Sequence, residues 1–481
     1  MINLFDQPKD KNRRVFIEGL GYVSLSLIFS SMFGGCESLL DQIKKRPVRL
    51  RLRTGSPEVD QAVAIYKDAV SKMMALPSSN PRSWAAQAGI HGTVAGGFNF
   101  CQHGTDHFFS WHRAYLLYFE RICQELTGEK KFGLPYWNWN QDPAIHPEFT
   151  NAGSPLFHPR NNTTVAGNPA FNNTTMNTIF GDNNFFTFSS QIEGSPHNTA
   201  HGVIGQDMGT GGSALDPVFW AHHCMVDYCW AKWNIELDND NTNDATWINT
   251  SWNHFVDGSG NPVNVTAGIT TLMPLLSYRY ETSAVGGFSA AAQLTARSSE
   301  DLKKIEARLR SGANIRFDIK KRVAIAKGAK ITVSKPYSAE TQISADDFKT
   351  LIESDQSAER IFVKINYAQL PPVNDFFVRV FINLPNANAQ TPTDDIHYAG
   401  SFAFFGTHTP DQHDHHGKTD FLVNVTETLQ NLRRRDQLRS GAPLSVQLVA
   451  VPANAQFTRP DTELTLEEIE LIVTPVIVPR R

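Results

Sequence analysis

The chain has 481 residues, 48 acidic against 44 basic side chains and a net charge of −4. No basic face interleaved with aromatic residues occurs, so nothing points to nucleic acid as a partner. A hydrophobic fraction of 41% and an aromatic fraction of 11% suit a globular protein long enough for two domains, and beyond the N-terminus no apolar run is long enough to cross a bilayer.

Residues 1–36 read as an export signal: Arg13 and Arg14, then the apolar stretch Leu20 to Phe33, then Gly-Gly-Cys ending at Cys36. The paired arginines resemble a twin-arginine signal and Cys36 a lipoprotein cleavage site. The expectation is an exported, bacterial protein, periplasmic or held at the membrane by an N-terminal lipid anchor, its one membrane contact. The other four cysteines, Cys101, Cys123, Cys224 and Cys229, are too widely spaced for a disulfide scaffold. Residues 37–50 read as a linker.

From residue 51 the texture is helical. Val59, Ala62, Val63, Tyr66, Val70 and Met73 recur at helical spacing behind Ser56-Pro57-Glu58, which predicts a helix over 58–74. Others are predicted from about Pro81 to His91, from about Ser110 to Leu126 with closure near Gly128, from His197, and from Asp216, where Asp-Pro supplies a cap and a first-turn proline. Between "LPYWNWN" and Gln191 the chain reads as one long polar loop. This helical domain spans 51–285. A charged linker follows over 286–312. Over 313–481, short alternating runs such as "RIFVKINYAQLP", "FFVRVFINLP", "YAGSFAFFG" and "LSVQLVAVP" predict an antiparallel β-sandwich.

Ten of the 16 histidines lie between residues 91 and 223, all but His146 and His158 in two groups. The first holds His91, His103, His107 and His112; the second is "HNTAH" (197–201) with His222 and His223. His197 and His201, four apart on a helix, share one face within reach of a single ion. A zinc metalloprotease needs a glutamate after the first histidine, and Asn198 stands there instead. Two sets of about three neutral imidazoles suit two transition ions, copper or zinc, better than one.

"HGTDHFFSWHRAYLLYFE" (103–120), "LPYWNW" and "DPVFWAHHCMVD" (216–227) resemble the signature segments of the tyrosinase and polyphenol oxidase family over roughly residues 50 to 280. The resemblance implies an α + β multidomain protein in which a four-helix bundle surrounds a dinuclear copper site and an all-β sandwich follows. It implies two copper ions, one held by His91, His103 and His112, the other by His197, His201 and His223. O2 is then co-substrate and small phenols are the partners; no oligomeric state follows.

Phe219 would pack under the metal pair, and Cys101, two residues before His103, would carry a thioether to it. His107 is read as lining a channel or standing behind the metal ligands, and His222, about 100° from His223 on a helix, as facing away from the metal. His146, His158 and His254 read as loop residues. Glu193 matches the family's water-holding glutamate and Asn198 the asparagine that orients that water, which implies ortho-hydroxylation of monophenols besides oxidation of o-diphenols. The rivals are a catechol oxidase or o-aminophenol oxidase without hydroxylase activity, and a haemocyanin-like oxygen carrier. Tyr228 stands where an arginine is common, which puts the usual ion pair there in question, and "YRY" (278–280) marks the end of the helical domain. The β-domain resembles that of plant and some bacterial polyphenol oxidases, where it can cover the site, and the His408–His416 tract reads as a solvated loop.

Overall fold

The structure, a computed structural model, describes residues 45–95, 97–281, 318–352, 359–369, 371, 376–405, 420–453 and 459–475. The export-type segment with Arg13, Arg14 and Cys36, the linker 286–312 and the His408–His416 tract lie outside the described residues.

The helical domain begins with α1 (Pro57–Ala75), which buries Val59, Val63, Tyr66, Val70 and Met73 along one face. Helix α2 (Trp84–His91) starts where the Ser83 side chain accepts the Ala86 N–H. Helix α3 (Phe108–Thr127) ends at Gly128, whose φ of +79° closes it. The stretch expected to be loop up to Gln191 instead contains α4 (Phe185–Ile192), capped by Asn184. Its run Phe-Phe-Thr-Phe-Ser-Ser is poor in helix formers, but Phe185, Phe188 and Ile192 are fully buried, and that packing overrides local propensity.

Helix α4 continues without a break through a π-helical turn, Glu193–His197, into α5 (Asn198–Ile204). Pro196 has no N–H to donate, and the wider π turn absorbs the loss. Helix α6 (Pro217–Ala231) starts at Asp216, which accepts the Val218 N–H and pairs with Arg160. The four helical segments α2, α3, α4–α5 and α6 carry the six candidate metal-binding histidines or deliver the chain to them. Three strand pairs brace this core: β1 (Val48–Arg49) with β6 (Arg279–Tyr280), β2 (Gly92–Thr93) with β3 (Gly97–Phe98), and β4 (Ser251–Val256) with β5 (Pro262–Thr266).

The β1–β6 pair corrects the reading of 37–50 as linker, since Val48 and Arg49 already belong to the helical domain. The reason is Arg49, which is fully buried: its Nε donates to Glu120 (2.9 Å) and its Nη1 to Asp227 (3.0 Å). Asp227 also accepts from Arg113, from the Tyr278 hydroxyl (2.6 Å) and from the Tyr280 hydroxyl (2.6 Å). These partners hold its carboxyl below the usual range against the opposing effect of burial. The ion pair that Tyr228 put in question is thus made by two arginines from elsewhere in the chain. Tyr228 itself stacks on Tyr136 with ring centroids 5.0 Å apart.

The second domain holds β7 (Lys321–Thr332), β8 (Tyr337–Gln342), β9 (Glu359–Gln369), β10 (Phe376–Ile382), β11 (Tyr398–Phe402), β12 (Asp420–Asn424), β13 (Pro443–Pro452) and β14 (Glu463–Pro475), with helices α7 (Ala345–Ile352) and α8 (Thr426–Arg434). They form two four-stranded antiparallel sheets in the orders β11-β10-β13-β8 and β12-β9-β14-β7. Leu448, Val378 and Val380 of one sheet and Val363, Ile365 and Leu471 of the other share one core. Strand β14, with its Glu-Leu-Thr-Leu-Glu-Glu-Ile-Glu start, was not foreseen: its glutamates favour helix, but it pairs on both edges, with β9 and β7.

The two domains touch along the π turn. The Ala403 N–H donates to the Gly194 carbonyl (2.6 Å) and the Ser190 hydroxyl to the Asp420 carbonyl (3.4 Å). Because Asp227 compensates two buried arginines, Asp227→Asn should cost about 3–5 kcal/mol in denaturant unfolding of the helical domain. A loss below about 1 kcal/mol would show that the network carries little.

Candidate metal centre

His91 ends α2, His103 lies on the loop before α3 and His112 is one turn inside α3. His197 closes the π turn, His201 sits on α5, and His223 is midway along α6. The structure brings His91, His103 and His112 together as one group and His197, His201, His222 and His223 as another, each with ligand atoms within 4.8 Å of one another. The groups face each other, with His112 and His223 stacked at 4.5 Å and His103 and His197 at 5.3 Å.

Backbone carbonyls fix most of these rings. Nδ1 of His91 donates to Gly211 O (2.8 Å), that of His112 to Phe108 O (2.7 Å) and that of His201 to Met208 O (2.7 Å). His197 Nδ1 donates to the side-chain oxygen of Asn198 (2.8 Å). With the proton on Nδ1, each Nε2 lone pair is left for another partner. Nε2 of His91, His112 and His197, both ring nitrogens of His103 and Nδ1 of His223 are buried without a hydrogen-bond partner. Burial pushes His91 down to about 4 and His197 to about 3, and holds His103, His112, His201 and His223 well below their ordinary value. Neutral, desolvated imidazoles with unmatched lone pairs in two groups fit two borderline-soft transition ions such as copper.

His222 does not face away as expected. It is fully buried, and its ring stacks on His197 at 5.3 Å and meets His201 edge-on at 4.8 Å. The 100° step turns it from His223, but α4–α5 closes around both faces of α6. Its Nδ1 accepts the indole N–H of Trp139 (2.9 Å), and an indole nitrogen can only donate. Burial keeps the ring neutral, so its proton sits on Nε2 and no ring lone pair is left for a metal.

His107 stands at the N-cap of α3 and lies between Trp247 (5.6 Å) and Trp252 (5.6 Å). His146 accepts the Glu148 N–H and His158 pairs with Asp207. His254 is a strand residue of β4, not a loop histidine, and accepts the Trp111 indole N–H (2.8 Å). Through Trp111, which packs on His112 at 4.8 Å, it braces the first group.

Phe219 contacts His91 at 4.9 Å and His223 at 4.2 Å, one ring from each group. Phe108 packs on His112 (5.0 Å) and His197 (4.8 Å). Cys101 is fully buried and forms no disulfide. Glu193 is buried and accepts the Gly104 N–H (2.6 Å); burial, with Asp106 nearby, raises its carboxyl to about 8. Asn198 donates its amide N–H to the Ala403 carbonyl (2.8 Å).

Two aromatic residues went unseen in the sequence. Phe405, from the strap after β11, reaches over from the β-domain and stacks on His201 at 3.8 Å and 18°, with its ring also 5.0 Å from His103 and 5.7 Å from His197. Phe98 lies 4.7 Å from His103. The run "SFAFFG" shows apolar residues that outlast the strand alternation, the one signal that could have marked the strap.

A helical domain that aims two groups of buried imidazoles at each other, joined to a β-sandwich, fits a protein that holds a pair of metal ions. The chain matches the common central domain of tyrosinase over residues 81–176 and 146–236, and the chloroplastic polyphenol oxidase C-terminal domain over residues 345–458. A tyrosinase of Hahella sp. (strain CCB-MM4) is 25% identical over 476 residues, covering 86% of this chain and 97% of its own length. Polyphenol oxidase B of Solanum lycopersicum, a chloroplastic protein, is 26% identical over 455 residues, covering 81% of this chain and 73% of its own. Among solved structures, a latent aurone synthase (polyphenol oxidase) superposes with a TM-score of 0.64 at 20% identity, covering 90% of each chain. A latent apple tyrosinase gives 0.62 at 20%, covering 89% and 97%. The chain belongs to the tyrosinase and polyphenol oxidase family of copper-binding oxidoreductases. Among the described residues no helix is long and apolar enough to cross a membrane.

The geometry makes the two groups separable. His112→Ala and His223→Ala should each lower copper from two ions per chain to about one, by atomic absorption, while His222→Ala keeps two. Loss of copper in His222→Ala with full loading in His223→Ala would reverse the ligand assignment.

Proposed function

We propose that the protein oxidises phenols with O2, ortho-hydroxylating monophenols and converting o-diphenols to o-quinones, and that it does so from a latent state. His91, His103 and His112 hold one copper ion and His197, His201 and His223 the other. The observation that carries the reading is the benzene ring of Phe405 lying flat on His201 and edge-on to His103 and His197, between the two histidine groups. A site shaped to take one aromatic ring there takes a phenol once the strap has moved. Two solved structures of the same fold are of latent enzymes, and the contacts of Phe405 and Ala403 support reading the same state here.

The copper pair supplies O2 activation and takes the electrons of the phenol. The protein supplies the rest. Phe98, Phe108 and Phe219 line the site with apolar rings that exclude water. Phe219 packs between the two groups and holds His91 and His223 at their separation. A phenol has a pKa of about 10 and is neutral at pH 7, so a base must take its proton as it binds. In this reading Glu193, which accepts the Gly104 N–H beside His103, takes that proton directly or through one water in its ionised form; burial raises the carboxyl to about 8, which strengthens the carboxylate as a base but leaves most of it protonated at pH 7. Asn198 orients that water through the amide N–H now spent on Ala403, so withdrawal of the strap frees the pocket and the amide together. Cys101, linked to His103 by a thioether, fixes the one histidine of the six with neither ring nitrogen hydrogen-bonded.

Glu193→Gln and Asn198→Ala should cut hydroxylation of tyramine by about 10²-fold or more and oxidation of catechol far less, with copper unchanged, when both are assayed after mild detergent. Equal losses on the two substrates would leave hydroxylation without this base, no hydroxylation of tyramine by the unsubstituted protein would favour a catechol oxidase, and no quinone from either substrate an oxygen carrier. Peptide mass spectrometry of copper-loaded protein should find Cys101 and His103 joined with loss of about two hydrogens; an alkylatable Cys101 in active protein would remove the thioether.

A further inference from the structure

Phe98 has no role in the steps above beyond apolar lining, yet its ring meets both histidines of the first group that lie nearest the strap. It is 4.7 Å from His103 and 5.5 Å, edge-on, from His91, and 5.2 Å from Phe405 at an interplanar angle of 62°. Among the described residues it is the one aromatic side chain other than histidine in ring contact with Phe405. Its backbone cannot retreat. A Cβ on Gly92 would lie 2.3 Å from Gly97 O and 2.7 Å from Gly211 O, and one on Gly211 would lie 2.2 Å from Gly97 O. The β2–β3 hairpin is therefore closed onto the Gly211 turn at distances only glycine permits, and that turn also accepts the His91 N–H.

The slot filled by Phe405 is thus bounded by the His201 face, by the edges towards His103 and His197, and by Phe98. We infer that Phe98 is the aromatic positioning residue of the substrate slot, making to a bound phenol the tilted ring contact it now makes to Phe405. The slot then selects single planar rings and aims their rim between the two histidine groups. The inference rests on the phenol-oxidising reading for its substrate, but its physical content is ring binding and stands without copper.

The test uses the full-length chain with Phe405→Ala, which empties a cavity of benzyl shape. Metal-free Phe405→Ala should bind toluene, raising its melting temperature with toluene concentration, while the unsubstituted chain should not respond. Adding Phe98→Leu, which nearly preserves volume, should weaken toluene binding about three- to tenfold, the worth of one aromatic pair, and Phe98→Tyr should restore it. In the copper-loaded proteins the same series should raise the KM for catechol by a like factor with kcat nearly unchanged. Unchanged toluene affinity and catechol KM in Phe98→Leu would overturn the inference, as would failure of Phe405→Ala to bind toluene at all. If toluene binds as described but no copper-loaded variant makes quinone, the proposed reaction fails and the ring site stands.

Discussion

The structure depends on keeping neutral imidazole lone pairs out of water. A buried acceptor with no donor costs about 1–3 kcal/mol, and the unmatched ring nitrogens here sit within one small volume. The chain sustains this by giving the opposite nitrogen of His91, His112 and His201 a backbone carbonyl, which fixes tautomer and direction at once. The Trp139 indole does the reverse for His222, turning a fourth histidine of the second group into a proton carrier instead of a donor of electrons. Which nitrogen is left free to meet a metal is thus decided one layer behind the rings, by the partner each opposite nitrogen meets.

The π turn Glu193–His197 is where the two domains and the chemistry meet. It carries the candidate base at its start and a candidate ligand at its end, and its Gly194 carbonyl accepts from the Ala403 N–H. A strap bound to this turn occupies the ring slot, through Phe405, and the Asn198 amide in a single docking event. In the proposed reaction a substrate ring and the strap would compete for the same surfaces.

Rigidity at the far side of the helical domain comes from Asp227. It joins α6 to α3 through Arg113, to β1 through Arg49 and to β6 through the two tyrosines, so the chain ends of the domain are tied to the helix that bears His223. Tyr228 shows how a residue that departs from the family pattern is absorbed: its ring fills against Tyr136 and Tyr280 while arginines distant in sequence supply the charge.

The sequence by itself determined the elements whose periodicity and caps agree: α1, α2 and α3 within a few residues, the Asp216 start of α6, and strands such as β10 and β13. It also put His197 and His201 on one helix face, a local signal, whereas the full set of six candidate ligands came from the family resemblance and not from spacing. Only the tertiary structure decided α4, β14 and the membership of Arg49, where burial and pairing outweigh residue preference. It alone placed His222 inside the second group, His254 behind Trp111, and Phe98 and Phe405 around the ring slot. Those residues act through partners such as Trp139, 83 positions from His222, and Trp111, 143 from His254, or across a domain interface, and no periodicity records a contact that only folding brings about.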